Sequence, residues 1–329
     1  MARLLDKLVG HQDTLLPLIE AAANGRLAPT LLFSGPSGIG KRFAAAALAQ
    51  CLVCEKAQAQ ACGECGSCLR VERRQSESVI EIAPEGALLK IEQARDIVQR
   101  LSLRSIARSR VFIIDQAHTM NPQAANALLK SLEEPPSGTY FVLVTPLASG
   151  ILPTIRSRSQ LVRFRPLNEF DLEKVLGSSV DPWVIKAAHG SIEVARKLQE
   201  SREEFKSFEE ALRAFIAAAP QRLPVEEIAK LRELMKDRSV MEFGLSSLQG
   251  FFRDALRMQA GIAPGGQGGF MDLIQSTASL APDSLQSLAD LSIQLEHDIT
   301  RNVDRGLALE AFAIQWRRAA QLISGVRNG

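Results

Sequence analysis

The sequence has little net charge and no long apolar segment. Thirty-nine basic residues stand against 37 acidic ones, which gives a formal charge of +2 over 329 residues. This balance excludes a histone-like nucleic-acid binder and an acidic disordered tail, so any contact with nucleic acid has to come from a local patch. No stretch approaches the roughly 18 apolar residues that span a bilayer, and MARLLDKLVGHQD at the N-terminus lacks the apolar core of a signal peptide. We therefore expect a cytoplasmic protein without membrane contact.

Cysteine is scarce, and most of it is clustered. In a reducing compartment five cysteines are poor candidates for disulfides. Four of them lie close together in CLVCEKAQAQACGECGSCL: Cys54, Cys62, Cys65 and Cys68. Four thiolates can close a tetrahedral zinc site, which is structural because no coordination position is left for a substrate. Two alternatives remain, namely reduced thiols of a site that has lost its metal, or an iron–sulfur cluster on the same ligands.

A glycine-rich loop, GPSGIGKR, has the spacing of a phosphate-binding loop. It contains Gly35, Gly38, Gly40, Lys41 and Arg42, and it lies between the apolar run TLLF and the helix-forming KRFAAAALAQCL. The backbone N–H groups of such a loop hold phosphates, and its lysine reaches the terminal phosphates. A hydroxyl normally follows the lysine and holds magnesium. Arg42 cannot do this, and its positive charge would repel the cation.

The second half of such a site is an acidic residue at the end of a later strand. VFIIDQAH supplies Asp115, followed by Gln116 where a glutamate usually polarises the attacking water. An amide cannot take up a proton at neutral pH, and loss of a general base costs about 10²-fold or more in rate. With two defects in one site, we expect ATP hydrolysis to be slow or absent.

Strand and helix patterns alternate along the first half of the chain. TLLF, VIEIA, VFIID and YFVLVT read as strands, and IEQARDIVQRL and PQAANALLKSLEE read as helices between them. This alternation predicts a parallel sheet covered on both faces, with YFVLVT as its last strand. After Pro166 only helical periodicity remains. We expect an α/β P-loop domain over 1–166, a small helical unit over 167–203 and an all-helical domain over 204–329.

Several strings together resemble the clamp-loader subunits of bacterial DNA polymerase III, of the AAA+ class. They are GHQDTLLPLIEAAANGRLAPTLLFSGPSGIGK, VFIIDQAHTMNPQAANALLKSLEEPPSGTYFVLVT and LPTIRSRSQLVRF, of which NALLKSLEEPP is the most specific. The resemblance covers 1–166 strongly, the following helical lid less so and the C-terminal collar weakly. It implies a zinc-binding insertion at about 51–68, gamma/tau and delta subunits as partners, and a ring that loads a sliding clamp onto primed DNA.

Within that family, Arg42 and Gln116 favour the delta-prime type over the hydrolysing gamma/tau type. Hydrolysing relatives carry an arginine in the lid that senses the γ-phosphate, where Glu193 stands in this sequence. Arg196 would take that position if the alignment shifted by one helical turn. ATP or ADP binding is therefore expected to be weak or absent. Two alternatives stay open: a gamma/tau-like ATPase motor, and a nucleotide-regulated adaptor outside replication.

The resemblance also assigns roles to single residues. Arg158, in RSR at 156–158, fits the family's Ser-Arg-Cys motif with Ser159 in place of the cysteine. The family's arginine is a finger that enters the neighbouring subunit's ATP site; the plainer alternative is a solvated surface arginine. Thr145 stands where a polar residue reads the γ-phosphate. The first cysteine gap is one residue shorter than in the family, which makes Cys51 an alternative first zinc ligand.

A basic periodicity has two interpretations. Arg100, Arg104 and Arg108 recur every four residues and would share one helical face. That face would either contact DNA phosphates or simply be solvated. The four histidines show neither ligand nor triad spacing, and we assign them no chemistry: His11, His118, His189 and His297.

Overall fold

The computed structural model describes residues 3–56, 60–86, 88–102, 108–177, 179–265, 270–300 and 303–326. The chain divides into two compact units, Met1–Val180 with His189–Glu193 and Asp181–Ala188 with Val194–Gly329. A separate lid over 167–203 therefore stays a prediction. None of the helices in the described ranges is long and apolar enough to cross a membrane.

The first unit is built on a parallel sheet. Its described strands are β1 Thr30–Ser34, β2 Val79–Ile82, β3 Arg110–Ile114, β4 Thr139–Thr145 and β5 Gln160–Arg163. The spatial order is β2-β3-β4-β1-β5, and every neighbouring pair is parallel. This confirms the expected α/β class. The carboxyl end of β1, where ligands bind in such sheets, lies between β4 and β5.

The fifth strand corrects the expectation that YFVLVT is the last one. Gln160–Arg163 pairs with β1 along its length, from Leu31 opposite Gln160 to Ser34 opposite Arg163. Only Val162 of this strand is buried. An edge strand needs no continuous apolar run, which is why its sequence gave no strand signal.

Helices cover both faces of the sheet. Along β1, Leu31 and Phe33 face one apolar cluster and Leu32 faces the other. Burial on both faces explains why the strand is apolar throughout rather than alternating. The helices of this unit are α1 Leu4–Lys7, α2 Gln12–Ala23, α3 Lys41–Leu52, α4 Gly66–Glu72, α5 Ile91–Ser102, α6 Pro122–Glu133, α7 Pro153–Arg156 and α8 Glu169–Leu176.

The rest of the described chain is helical, as expected. Its helices are α9 Pro182–Ala187, α10 Ile192–Glu200, α11 Arg202–Ala218, α12 Val225–Leu234, α13 Arg238–Gln259, α14 Met271–Ala278, α15 Pro282–Thr300 and α16 Arg305–Val326. Aromatic rings fill the core of the second unit, where Phe252 and Trp316 lie 4.9 Å apart between centroids. In α13, Gly244 is required because a Cβ there would lie 2.1 Å from the ring of Phe208.

Candidate nucleotide loop, cysteine cluster and exposed arginine

The glycine loop has the predicted strand–loop–helix setting. β1 ends at Ser34 and α3 begins at Lys41. Gly38 and Gly40 have φ values of 72° and 98°, in the left-handed region that glycine adopts without strain. The loop therefore keeps the backbone shape that its sequence indicates, at the carboxyl edge of the sheet.

Lys41 is turned back onto the loop itself. Its Nζ donates hydrogen bonds to the carbonyl oxygens of Gly35 and Pro36, both at 2.5 Å. Burial lowers the pKa of Lys41 to about 8, although the charge of Asp115 acts in the opposite direction. The ammonium group is thus used inside the loop in this conformation.

Arg42 lies between two carboxylates at the sheet edge. Its Nη1 is 3.6 Å from Asp115 Oδ2, and its Nε is 3.8 Å from Glu81 Oε2. Glu81 lies on β2, beside the strand that Asp115 follows. A fixed cation therefore pairs with the carboxylate that would face magnesium in a hydrolysing site. Sequence reasoning missed Glu81 because the charge lies within a strand pattern.

The residue after Asp115 has an unusual backbone. Gln116 has a φ of 48° and a ψ of 43°, which is uncommon for a residue other than glycine. Its backbone N–H donates to Asp115 Oδ1 at 2.9 Å, which orients that carboxylate. The side chain of Gln116 is exposed and carries an amide, so it provides no base.

Thr145 ends β4 and is fully buried. Its Oγ1 donates to the carbonyl of Leu147 at 3.0 Å and accepts from the N–H of Leu147 at 3.3 Å. The hydroxyl is thus part of the turn after β4. A role in reading phosphate stays a prediction.

The segment His189–Glu193 packs against the glycine loop. Ser191 Oγ donates to the carbonyl of Ser37 at 3.1 Å, and the N–H of Ile192 donates to the carbonyl of Gly38 at 2.8 Å. A Cβ at position 38 would lie 2.3 Å from Ser191 Oγ and 2.6 Å from Glu193 Cβ. Position 193 therefore adjoins the loop, and its assignment to the γ-phosphate-sensing position stays a prediction. Arg196 belongs to the other unit.

His11 also contacts the loop, although its sequence context gave no signal of this. Its Nε2 lies 2.8 Å from the carbonyl oxygen of Ile39, and its ring packs edge-on against Phe164 at 5.0 Å. Burial lowers the pKa of His11, while the contact with Ile39 partly opposes that change. A neutral ring that donates to Ile39 therefore supports the loop backbone.

The four clustered cysteines come together in space. Their four Sγ atoms all lie within 4.8 Å of one another, and the residues are Cys54, Cys62, Cys65 and Cys68. The sulfur atoms of Cys62 and Cys68 are 3.8 Å apart. Sulfurs that surround a tetrahedral zinc at about 2.3 Å lie about 3.8 Å from one another, so this donor set fits the metal. Cys51 is not part of the group found among the described residues.

Backbone N–H groups point at the sulfurs. Cys62 Sγ accepts from the N–H of Glu64 at 3.5 Å and from that of Cys65 at 3.3 Å, which lowers the pKa of Cys62 to about 6. Such contacts favour the thiolate that a metal requires. Burial instead raises the pKa of Cys51 to about 11, and this thiol accepts from the N–H of Ala61.

Arg158 follows the short helix α7, on the surface of the first unit. Its Nε lies 3.0 Å from Glu133 Oε2 and its Nη2 lies 3.2 Å from Glu133 Oε1. Its Nη1 donates to the carbonyl of Thr154 at 3.1 Å. The side chain remains 37% exposed. Glu133 lies in the string NALLKSLEEPP, but no local pattern in the sequence indicates its contact with Arg158.

The basic periodicity at Arg100 is only partly described. Helix α5 ends at Ser102, Arg104 lies outside the described residues and Arg108 is exposed. Arg100 pairs with Asp96 one turn earlier, at 2.7 Å. A role of these arginines in DNA binding stays a prediction.

Known proteins with similar sequences are subunits of DNA polymerase III. Residues 10–168 match the family described as DNA polymerase III, delta subunit. The DNA polymerase III subunit delta' of Bacillus subtilis is 29% identical over 260 residues, which are 74% of this chain and 76% of that protein. The subunit gamma/tau of Mycobacterium tuberculosis is 34% identical over 201 residues, which are 56% of this chain but only 34% of that protein. The chain thus spans about a third of such gamma/tau relatives.

Two solved structures that match this chain come from Thermotoga maritima. A DNA polymerase III gamma subunit-related protein covers 94% of this chain and 99% of its own, at 18% identity and a TM-score of 0.43. The RuvB Holliday junction branch migration motor covers 84% of this chain and 90% of its own, with the same identity and TM-score.

Proposed function

We propose that this chain, a clamp-loader subunit of bacterial DNA polymerase III in the AAA+ class, is of the delta-prime type. In this proposal it does not hydrolyse ATP. The observation that supports this most is the pairing of Arg42 with Asp115. Magnesium at that carboxylate would have to displace a cation that is covalently part of the chain. Gln116 adds the lack of a general base.

The glycine loop then serves as architecture. Lys41 satisfies two loop carbonyls, and His189–Glu193 packs on Gly38. Both arrangements would have to change before phosphates entered the loop. Binding of ATP or ADP is accordingly weak or absent.

In this proposal, the contribution to catalysis is made in another subunit. Arg158 acts as an arginine finger at the ATP site of an adjacent gamma/tau subunit, in a ring that also contains delta and loads a sliding clamp onto primed DNA. An arginine suits the task because its planar fork contacts several phosphate oxygens. The cysteine cluster holds one structural zinc ion.

The deciding experiment measures ATP turnover for the isolated chain and for a ring reconstituted with its partner subunits, clamp and primed DNA. We expect the isolated chain to stay at background, and the ring to lose activity when it contains Arg158→Ala. Turnover on the order of 1 s⁻¹ by the isolated chain would instead identify a gamma/tau-like motor. Failure to join gamma/tau and delta would favour an adaptor outside replication.

A further inference from the structure

The contact between Arg158 and Glu133 differs from an ordinary surface ion pair in its geometry. Both carboxylate oxygens are used, one by Nε at 3.0 Å and one by Nη2 at 3.2 Å. Isolated surface pairs contribute little to stability, but a guanidinium that contacts both oxygens of one carboxylate is restricted in its orientation. The pair therefore determines where the fork points.

The backbones on both sides of this contact are fixed by packing. Glu133 is the last residue of α6, directly after the buried Leu132. Ile155 of α7 is buried in the same apolar cluster. The N–H of Arg158 and Oγ of Ser159 both donate to the carbonyl of Ile155, at 3.1 Å and 2.8 Å. The two side chains are thus held opposite each other by a rigid corner of the fold.

The contacts leave part of the guanidinium available. An arginine has five N–H groups. Nη2 donates to Glu133 and Nη1 donates to Thr154, while Nε lies 3.0 Å from Glu133 Oε2. Within the described residues two N–H groups remain, one on each terminal nitrogen. They can donate to an anion while the carboxylate keeps its own edge of the fork.

We infer that Glu133 is a positioning residue for the arginine finger. It holds the Nε–Nη2 edge of Arg158 so that the remaining N–H groups face the phosphates of ATP bound to the neighbouring subunit. This inference rests on the proposed function. Glu133 touches no substrate itself and acts only through Arg158. A glutamine at this position accepts through one oxygen only, so it cannot hold the fork at both points.

The test uses rings reconstituted with Glu133→Gln, Glu133→Asp, Arg158→Ala and the double variant Glu133→Gln/Arg158→Ala. Clamp-loading rate, and kcat and KM for ATP, are measured with primed DNA. We expect Glu133→Gln to lower the loading rate roughly 2- to 10-fold by loosening the finger, with KM unchanged. Glu133→Asp, which keeps the charge, should recover part of the rate. In the Arg158→Ala background, Glu133→Gln should have no further effect.

Glu134→Gln is the matched control, since Glu134 is the next carboxylate in the chain and ends α6 through a backbone contact to Lys130. It should load clamps at the normal rate. The rate of hydrogen exchange at the Arg158 Nε–H, measured by NMR on the isolated chain, does not depend on assembly of the ring. This proton should exchange more slowly in the natural chain than in Glu133→Gln.

The two hypotheses fail in different ways. If Arg158→Ala slows loading but Glu133→Gln does not, the positioning role is wrong and the finger stands. The same conclusion follows if Glu133→Gln slows loading equally with and without Arg158, or if Nε–H exchange is unchanged. If Arg158→Ala loads normally in correctly assembled rings, the proposed function is wrong, and the inference is overturned with it.

Discussion

The glycine loop and the corner around Arg158 differ in the relation between shape and available charge. The loop has the backbone of a nucleotide site, yet Lys41 and Arg42 are both paired within the chain. The corner is a solvent-facing junction of two helices, yet its arginine keeps N–H groups that can bind an anion. Both regions pair their cations within the chain, so the difference lies in where those pairs stand: Arg42 pairs with Asp115 at the carboxyl end of the sheet, whereas the contacts of Arg158 leave N–H groups at the surface.

Replacement of Arg158, the proposed finger, tests this contrast with the largest expected effect. Arg158→Ala should leave folding and ring assembly intact but slow hydrolysis at one neighbouring site by about 10³-fold or more. The other gamma/tau sites keep their own fingers, so total ATP turnover should fall only partly and clamp loading should fall further. Arg158→Lys should restore little, because an ammonium lacks the planar fork. Rapid-quench ATP hydrolysis and a clamp-loading assay measure the two quantities.

Replacement of a proposed zinc ligand tests whether the glycine loop keeps its shape without an intact cysteine cluster beyond the C-terminal end of α3. Cys65→Ser should abolish binding of about one zinc per chain, a loss on the order of 10 kcal/mol of metal-binding free energy. The domain has its own two-faced core, so damage should stay near residues 51–68. Metal analysis and hydrogen exchange at the loop provide the measurements. Assembly of normal rings from protein that never contained metal would contradict the zinc proposal alone.

Restoration of the missing groups asks whether two residues are enough to reactivate the loop. Arg42→Thr combined with Gln116→Glu supplies a hydroxyl and a base, but Glu193 still adjoins the loop and no neighbour supplies a finger. We therefore expect ATP turnover of the isolated double variant to remain near background. Recovery to an ordinary enzymatic rate would show that the loop was two substitutions from activity, and it would weaken the contrast with Arg158.

The smallest effect concerns the buried charge of Lys41. Its pKa is about 8 in the folded chain, whereas the ordinary value for lysine is 10.5. Between these pH values the unfolded chain binds more protons, so this residue makes the free energy of unfolding rise with pH. The free energy of unfolding can be measured by urea denaturation at a series of pH values from about 7.5 to about 10.5. Lys41→Met should flatten its rise with pH. Lys90→Met, at an exposed lysine, is the control and should leave the slope unchanged.

Much of the fold followed from local pattern. The runs that begin at Thr30 and Val111 are apolar because helices cover both sheet faces, and the structure places strands there. The short strand Gln160–Arg163 has no recognisable strand pattern because it lies at the edge of the sheet, where only Val162 is buried. The clustering of Cys54 with the later cysteines was predictable from spacing.

By itself the sequence determined the chemical inventory: a loop with an arginine where a hydroxyl would hold magnesium, an acid without a base after it, four clustered thiols and an arginine in a string that resembles a family motif. The tertiary structure decided how those groups are paired. Arg42 meets Glu81 and Asp115, and Arg158 meets Glu133, across separations in the chain that no local periodicity encodes. The physical reason is that identity and spacing are local properties. An ion pair exists only after the sheet and its helices have brought distant side chains within contact distance.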